Sequence, residues 1–220
     1  MVYLPPHFSE TDEAVLLAHI ERHDFGLLVT QSANGPGTNG PGTNGPGDLI
    51  ASQVPFLAER RDGGLYLLGH LARPNPQAAA LDGGEALAIF QGPHAYISPS
   101  WYAAGPAVPT WNYASVHCYG AVRAIADKDW LSQFLRRLSE RQEAREAAPW
   151  RMQDQPAAFL DGMLGGIVGF EIAVSRLEGK FKLSQNRPAV DAPRIVAALE
   201  ARDDADSHGV ARLMREREGR

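Results

Sequence analysis

The sequence predicts an α+β fold built on a small antiparallel barrel, with helices inserted and appended. Three observations carry this reading. The centre of the chain is a series of short apolar runs separated by turn-forming dipeptides. An amphipathic helix follows them from Asp127. Helical and extended segments do not alternate as βαβ units, so nothing argues for a parallel sheet.

The elements follow in order. "SETDEAVLLAHIERH" opens with cap residues Ser9 and Asp12, and Val15, Leu16, His19 and Ile20 recur at helical spacing. "FGLLVTQ" (25–31) reads as a strand. Residues 34–47, "NGPGTNGPGTNGPG", repeat a five-residue unit of turn dipeptides. Such a composition buries nothing and predicts a surface loop joining two strands. "DLIASQVPFLAE" (48–59) and "GLYLLGH" (64–70) flank Asp62-Gly63, a strong hairpin signal. Asn75, Pro76 and Gly83 cap, begin and end a short helix. "EALAIFQG" and "AYISP" read as two strands, and 115–125 as another. Trp130, Leu131, Phe134, Leu135 and Leu138 form the apolar stripe of the amphipathic helix. "PAAFLDGML" predicts a helical turn or two, and "GGIVGFEIAVSRLEGKFKL" a long β-branched strand. From Asp191 the tail reads as two short helices broken near His208-Gly209. The division expected is one domain over 1–190 with 191–220 as its helical appendage.

With 220 residues, 44% of them hydrophobic, the chain is long enough for one sizeable core. A net charge of -5 and a pI of about 5.8 disfavour a nucleic-acid partner, leaving DNA only a local basic patch. One cysteine, Cys118, excludes an internal disulfide framework and fits a reducing cytoplasm. The start, "MVYLPPHFSE", has neither a basic n-region nor an apolar h-region, so no signal peptide is expected. No apolar run approaches the length of a membrane span.

Four segments offer chemistry. In "GHLARPNPQ" (69–77) a strand ends at His70, Arg73 lies in the loop, and a capped helix starts at Asn75. Helix-start N–H groups beside a guanidinium suit a phosphate; the plain alternative is a strand-to-helix corner with a solvated Arg. In "IASQVPFL", Ser52 and Gln53 either face a polar ligand or leave Gln53 in solvent. Tyr96, Trp101, Tyr102, Trp111 and Tyr113 cluster in "YISPSWY" and "VPTWNYASVHCYG", a composition shared by ligand walls, interfaces and barrel rims. In "EGKFKLSQNRP" (178–188), Lys180, Lys182, Gln185, Asn186 and Arg187 form either a loop that closes over an anion or a solvated one. Among the seven histidines, only His19 and His23 share ligand spacing, without an HExxH carboxylate. No GxSxG or Walker motif occurs, and no catalytic residue or metal-ligand set is assigned.

Together "LPPHF", "HDFGLLVT", "GHLARPNPQ", "IFQGPHAYISPSWY", "VPTWNYASVHCYG" and "GIVGFEI…EGKFKLSQNR" resemble the PaiB-type FMN-binding negative transcriptional regulators, in order and over nearly the whole chain. The resemblance implies a six-stranded antiparallel split β-barrel with flanking and C-terminal helices, related to the pyridoxamine-phosphate oxidases. It implies a homodimer with FMN at the subunit interface. The cofactor-binding candidates are Ser52, Gln53, His70, Arg73, Asn75, Gln77, Trp111, Asn112, Tyr113, Lys182, Ser184, Gln185 and Asn186. Arg73 and Lys182 are the candidates for the phosphate, and Ser52, Gln53 and Asn112 for the polar edge of the ring. The implied role is repression of target genes, and the alternative is a flavin-dependent oxidoreductase of the pyridoxamine-phosphate-oxidase-like class. Gln53 stands where the family pattern has a histidine, and Pro74 and Ala78 replace a small residue and a tryptophan. The arginines of the tail alternate with Glu and Asp, which gives no basic recognition face for DNA.

Overall fold

The computed structural model describes residues 1–31, 47–103 and 105–218. Nearly all of the Gly/Pro repeat loop therefore lies outside the described residues. The strands are β1 (Ser9–Glu10), β2 (Phe25–Gln31), β3 (Leu49–Pro55), β4 (Leu57–Arg61), β5 (Gly64–Ala72), β6 (Glu85–Ile97), β7 (Thr110–Ile125) and β8 (Ile167–Lys182). The helices are α1 (Glu13–Arg22), α2 (Lys128–Glu143), α3 (Ala157–Gly165), α4 (Asp191–Glu200) and α5 (Ala205–Glu218). The strands hydrogen-bond in the order β3-β2-β6-β7-β8-β5-β4, with β1 on β8. The pairings β1–β8, β2–β3, β2–β6, β4–β5 and β5–β8 are antiparallel. The α+β class holds, but eight strands are present among the described residues where six were expected.

Local chemistry explains the differences. The single run expected over 48–59 breaks at Phe56, whose N–H leaves the ladder to donate to Asp24 O at 2.8 Å. The two strands expected either side of Gly92-Pro93 are one, β6. Its buried residues change from Ala86, Ala88 and Phe90 to Pro93, Ala95 and Ile97, a one-residue slip of the pleat that absorbs the proline. Asp62 and Gly63 both take positive φ, 52° and 79°, as a two-residue hairpin turn requires. The helix expected after Asn75 is a short 3-10 segment, Pro76–Ala80. In the tail the break falls at 201–204 rather than at His208-Gly209. Asp204 Oδ1 accepts from Ser207 N at 2.7 Å and starts α5 there. Gly209 stays helical because its bare Cα lies against Pro93; an added Cβ would sit 2.7 Å from the proline ring.

The chain divides into two compact units. The first comprises Met1–His23, Phe90–His117 and Glu178–Arg220. Its core includes Leu16 and Ile20 of α1, Phe90, Val116, Phe181, Ile195 and Leu199 of α4, and Val210 of α5. The second comprises Asp24–Ile89 and Cys118–Leu177. There Phe134 and Leu138 of α2 pack on Leu57 and Leu68, with Trp130 stacked on Phe134 at 5.3 Å. The carboxylate of buried Glu171 is held by Arg61 at 3.0 Å and Arg123 at 2.9 Å, which offsets its desolvation. No helix among the described residues is long and apolar enough to cross a membrane.

Candidate functional site

The thirteen candidate residues fall into two groups, six in the second unit and seven in the first. In the second unit, Asn75 is the hub. Its Nδ2 donates to Ser52 Oγ at 3.0 Å and its Oδ1 caps Gln77 N at 2.9 Å. Gln77 is fully buried, and its Nε2 lies within 3.1–3.2 Å of Leu28 O, Thr30 Oγ1 and Ile50 O. Its Oε1 is buried with no hydrogen-bond partner. These three residues fasten the 3-10 segment to β2 and β3. The start of that segment offers little to a phosphate. Pro76 has no N–H, Gln77 N goes to the cap, and Ala78 N bonds Asn75 O.

The other three residues of this group are not gathered with them. Arg73 Nε and Nη2 donate to the carbonyls of Gly165 and Ile167 at 3.0 and 2.9 Å, bracing the end of α3. Two of its five N–H donors are spent on these carbonyls, and the residue is exposed. His70 turns its ring edge to Phe134 at 5.7 Å. Burial lowers its pKa, and its Nδ1 has no partner. Gln53 lies on the opposite face of β3 from Ser52 and is exposed.

In the first unit the grouping is tighter. Lys182 Nζ donates to Thr110 Oγ1 at 2.5 Å and Trp111 O at 2.6 Å, leaving one of its three N–H bonds for a ligand. Burial, and then the charge of Lys180, lowers its pKa, so an anion beside it would be welcome. Lys182, Ser184 and Asn186 line one cleft of about 180 Å³. Thr110 and Arg187 share it, and neither was among the thirteen candidates. Arg187 lies over the Tyr102 ring at 4.0 Å and pairs with buried Asp191 at 3.0 Å. The signal for it was present in "QNRP", directly after Asn186.

Asn112 is fully buried and does not line this cleft. Its Nδ2 reaches Ser184 Oγ at 2.9 Å and Met214 Sδ at 3.7 Å, tying β7 to the loop after β8 and to α5. Ser184 needs that anchor because it holds a positive φ of 66°. Gln185 folds back on its own loop, accepting from Leu183 N at 2.7 Å and donating to Phe181 O. Trp111 is 52% exposed, with His94 and Tyr96 rings about it at 6.1 and 6.0 Å. Tyr113 has Lys180 Nζ 5.6 Å from its ring centre. Cys118 is buried, its thiol pushed up to about 12 by desolvation, and so is inert as a nucleophile.

A family described as "Putative FMN-binding domain" matches residues 2–176. "Protease synthase and sporulation protein PAI 2" of Bacillus subtilis is 33% identical over 98% of each chain. Among solved structures, an FAD and heme binding protein from Mycobacterium smegmatis aligns with a TM-score of 0.56 at 16% identity, covering 86% of this chain and 80% of its own. The flavocytochrome Anf3 from Azotobacter vinelandii aligns at 0.50 and 12% identity, covering 79% and 69%. These two show a shared fold.

Proposed function

Because the chain belongs to the family described as "Putative FMN-binding domain", we propose that it binds FMN on a split-barrel scaffold, as a homodimer, and acts as a PaiB-like negative transcriptional regulator. The observation that supports FMN most directly is the cleft of the first unit. Lys182, Arg187, Asn186, Ser184 and Thr110 set two cations, an amide and two hydroxyls around one space. That donor set suits a phosphate and a polyol chain. Trp111 and Tyr113 are the residues of this group with flat surface to offer a ring. When bound, the flavin supplies a redox-active ring, and the protein binds and orients it.

The cleft, about 180 Å³, is smaller than the roughly 300 Å³ at which ligand pockets begin. A flavin therefore needs further walls, and a second copy of the chain supplies them in the proposed homodimer. The regulatory role rests on the relationship to the sporulation protein of B. subtilis. The cleft lining contains no histidine or carboxylate among the described residues, so binding rather than proton transfer is the role favoured over an oxidoreductase. The arginines of α5 do not offer DNA an open face: Arg215 pairs with Glu200 at 2.7 Å, and Arg212 and Arg217 lie 3.7 Å from Glu216 and Glu10.

The test is direct. The purified protein is denatured, and any released small molecule is identified by mass spectrometry. FMN is expected. A colourless protein that also ignores added FMN would overturn the reading. A gel shift with promoter DNA at stated salt then examines repression.

A further inference from the structure

We propose that the first unit carries a second binding site, separate from the Lys182 cleft, for a small carboxylate with an apolar body, between α1 and α5. The space is a cleft of about 250 Å³. From α1 come His19 and Arg22, three apart, and from its C-cap His23, all three lining the cleft. Arg212 and Glu216 approach from α5, and Val15, Phe181 and Leu213 form an apolar floor.

The local charge balance points to an anion. His19 is buried, its ring 4.6 Å from that of His23 and its Nε2 3.2 Å from Phe90 O. Its pKa is lowered to about 4 by burial first, then by the charge of His23, with Arg22 adding to the effect. Two arginines, Arg22 and Arg212, stand against one carboxylate, Glu216, in the lining, a surplus of positive charge that attracts a carboxylate. Arg212 is paired with Glu216 only through its Nε and at 3.7 Å, beyond hydrogen-bond length, so a ligand carboxylate competes with Glu216 for the guanidinium. A guanidinium fork matches a carboxylate in geometry as well as charge. A metal ion is the poorer occupant. No group of three or more His, Cys, Asp or Glu is placed to hold one among the described residues. The hydrocarbon floor also favours an acid with an apolar body over bare phosphate, which gains nothing from it. Gly92 preserves the arrangement: a Cβ there would fall 2.4 Å from His19 Cε1 and push the ring into the cleft.

Benzoate is the probe, titrated into the full-length protein while the imidazole signals of His19 and His23 are followed by NMR. Saturable binding in the millimolar range or tighter is expected. Arg22→Gln and Arg212→Gln should each weaken it about tenfold, and Glu216→Gln should tighten it by removing the competing carboxylate. Lys182→Gln should leave it unchanged, which separates this site from the proposed flavin cleft. Inorganic phosphate should bind more weakly than benzoate. Absence of saturation, unchanged affinity in both arginine variants, or phosphate binding at least as tight as benzoate would overturn the proposal. If the arginine variants do not fold, Glu216→Gln decides: tighter binding supports the site and unchanged binding refutes it.

Discussion

Asn112 and Lys182 both come from polar, aromatic-rich stretches, and the fold gives them different work. Asn112 is fully buried and satisfies Ser184. Asn112→Ala removes the anchor of the positive-φ Ser184 and should cost about 1–3 kcal/mol, read as a lower urea midpoint. Lys182 is half-buried, and its charge is disfavoured by burial and by Lys180. Lys182→Gln should therefore stay within about 0.5 kcal/mol of the parent in stability. It should weaken FMN binding about tenfold, measured by flavin fluorescence quenching. The sequence placed both residues near one site but had no means of separating them, because burial of an asparagine depends on α5, a hundred residues away. His19 gives a third residue-scale outcome. Its folded pKa of about 4 lies below the ordinary 6.5 of an unfolded chain. Between those values the unfolded state binds more protons, so stability falls as pH drops from 6.5 towards 4. The full loss from this group is about 3 kcal/mol below pH 4. His19→Gln should flatten that part of the stability-against-pH curve relative to the parent. A slope equal to the parent's would assign the acid sensitivity elsewhere, for instance to His70 or His117.

At the scale of elements, periodicity was legible and punctuation was not. The stripe Leu131, Phe134 and Leu138 gave α2, and Asp62-Gly63 gave the β4–β5 hairpin. Gly92-Pro93 and His208-Gly209 looked like breaks but are not, since in each case another element packs against the glycine. A close approach of this kind is a tertiary fact, invisible in a dipeptide. Gly120 is the strongest instance. A Cβ there would lie 2.0 Å from the Ala173 carbonyl oxygen of the neighbouring strand, a backbone atom that cannot turn aside. Gly120→Ala should cost about 3 kcal/mol or more by forcing β7 and β8 apart. Gly83→Ala meets no atom within 4 Å, yet holds φ +77° and should cost about 1 kcal/mol from backbone strain alone. Thermal unfolding of the pair separates crowding from strain.

At the scale of the molecule, class and family were readable because they rest on composition and on motifs spread along the chain. A site shared between copies is not readable, since no single-chain pattern records a partner. The second unit nevertheless exposes an apolar face that a second copy would cover in the proposed homodimer. The register of β2 with β3 and β6 puts Phe25, Leu27 and Val29 on one face with Gln53, Ala51, Leu49, Ile89 and Leu87. Phe25 is 66% and Leu49 71% exposed there, on a face where a solvated strand would alternate to polar residues. If this face is where two copies meet, Gln53 is buried at its centre, a position in which a neutral amide is tolerated better than a charge. Phe25→Glu with Leu49→Glu would bring carboxylates to both copies of the face at once. If the proposed homodimer forms through this face, the double variant should sediment as a monomer and the parent as a dimer, with the circular dichroism of the fold retained. Flavin makes the test sharper. If a second copy completes the FMN site, the monomeric variant should lose bound FMN in the same concentration range in which it dissociates. A folded monomer that keeps FMN at full occupancy would place the whole cofactor site within one chain and leave the apolar face to some other contact.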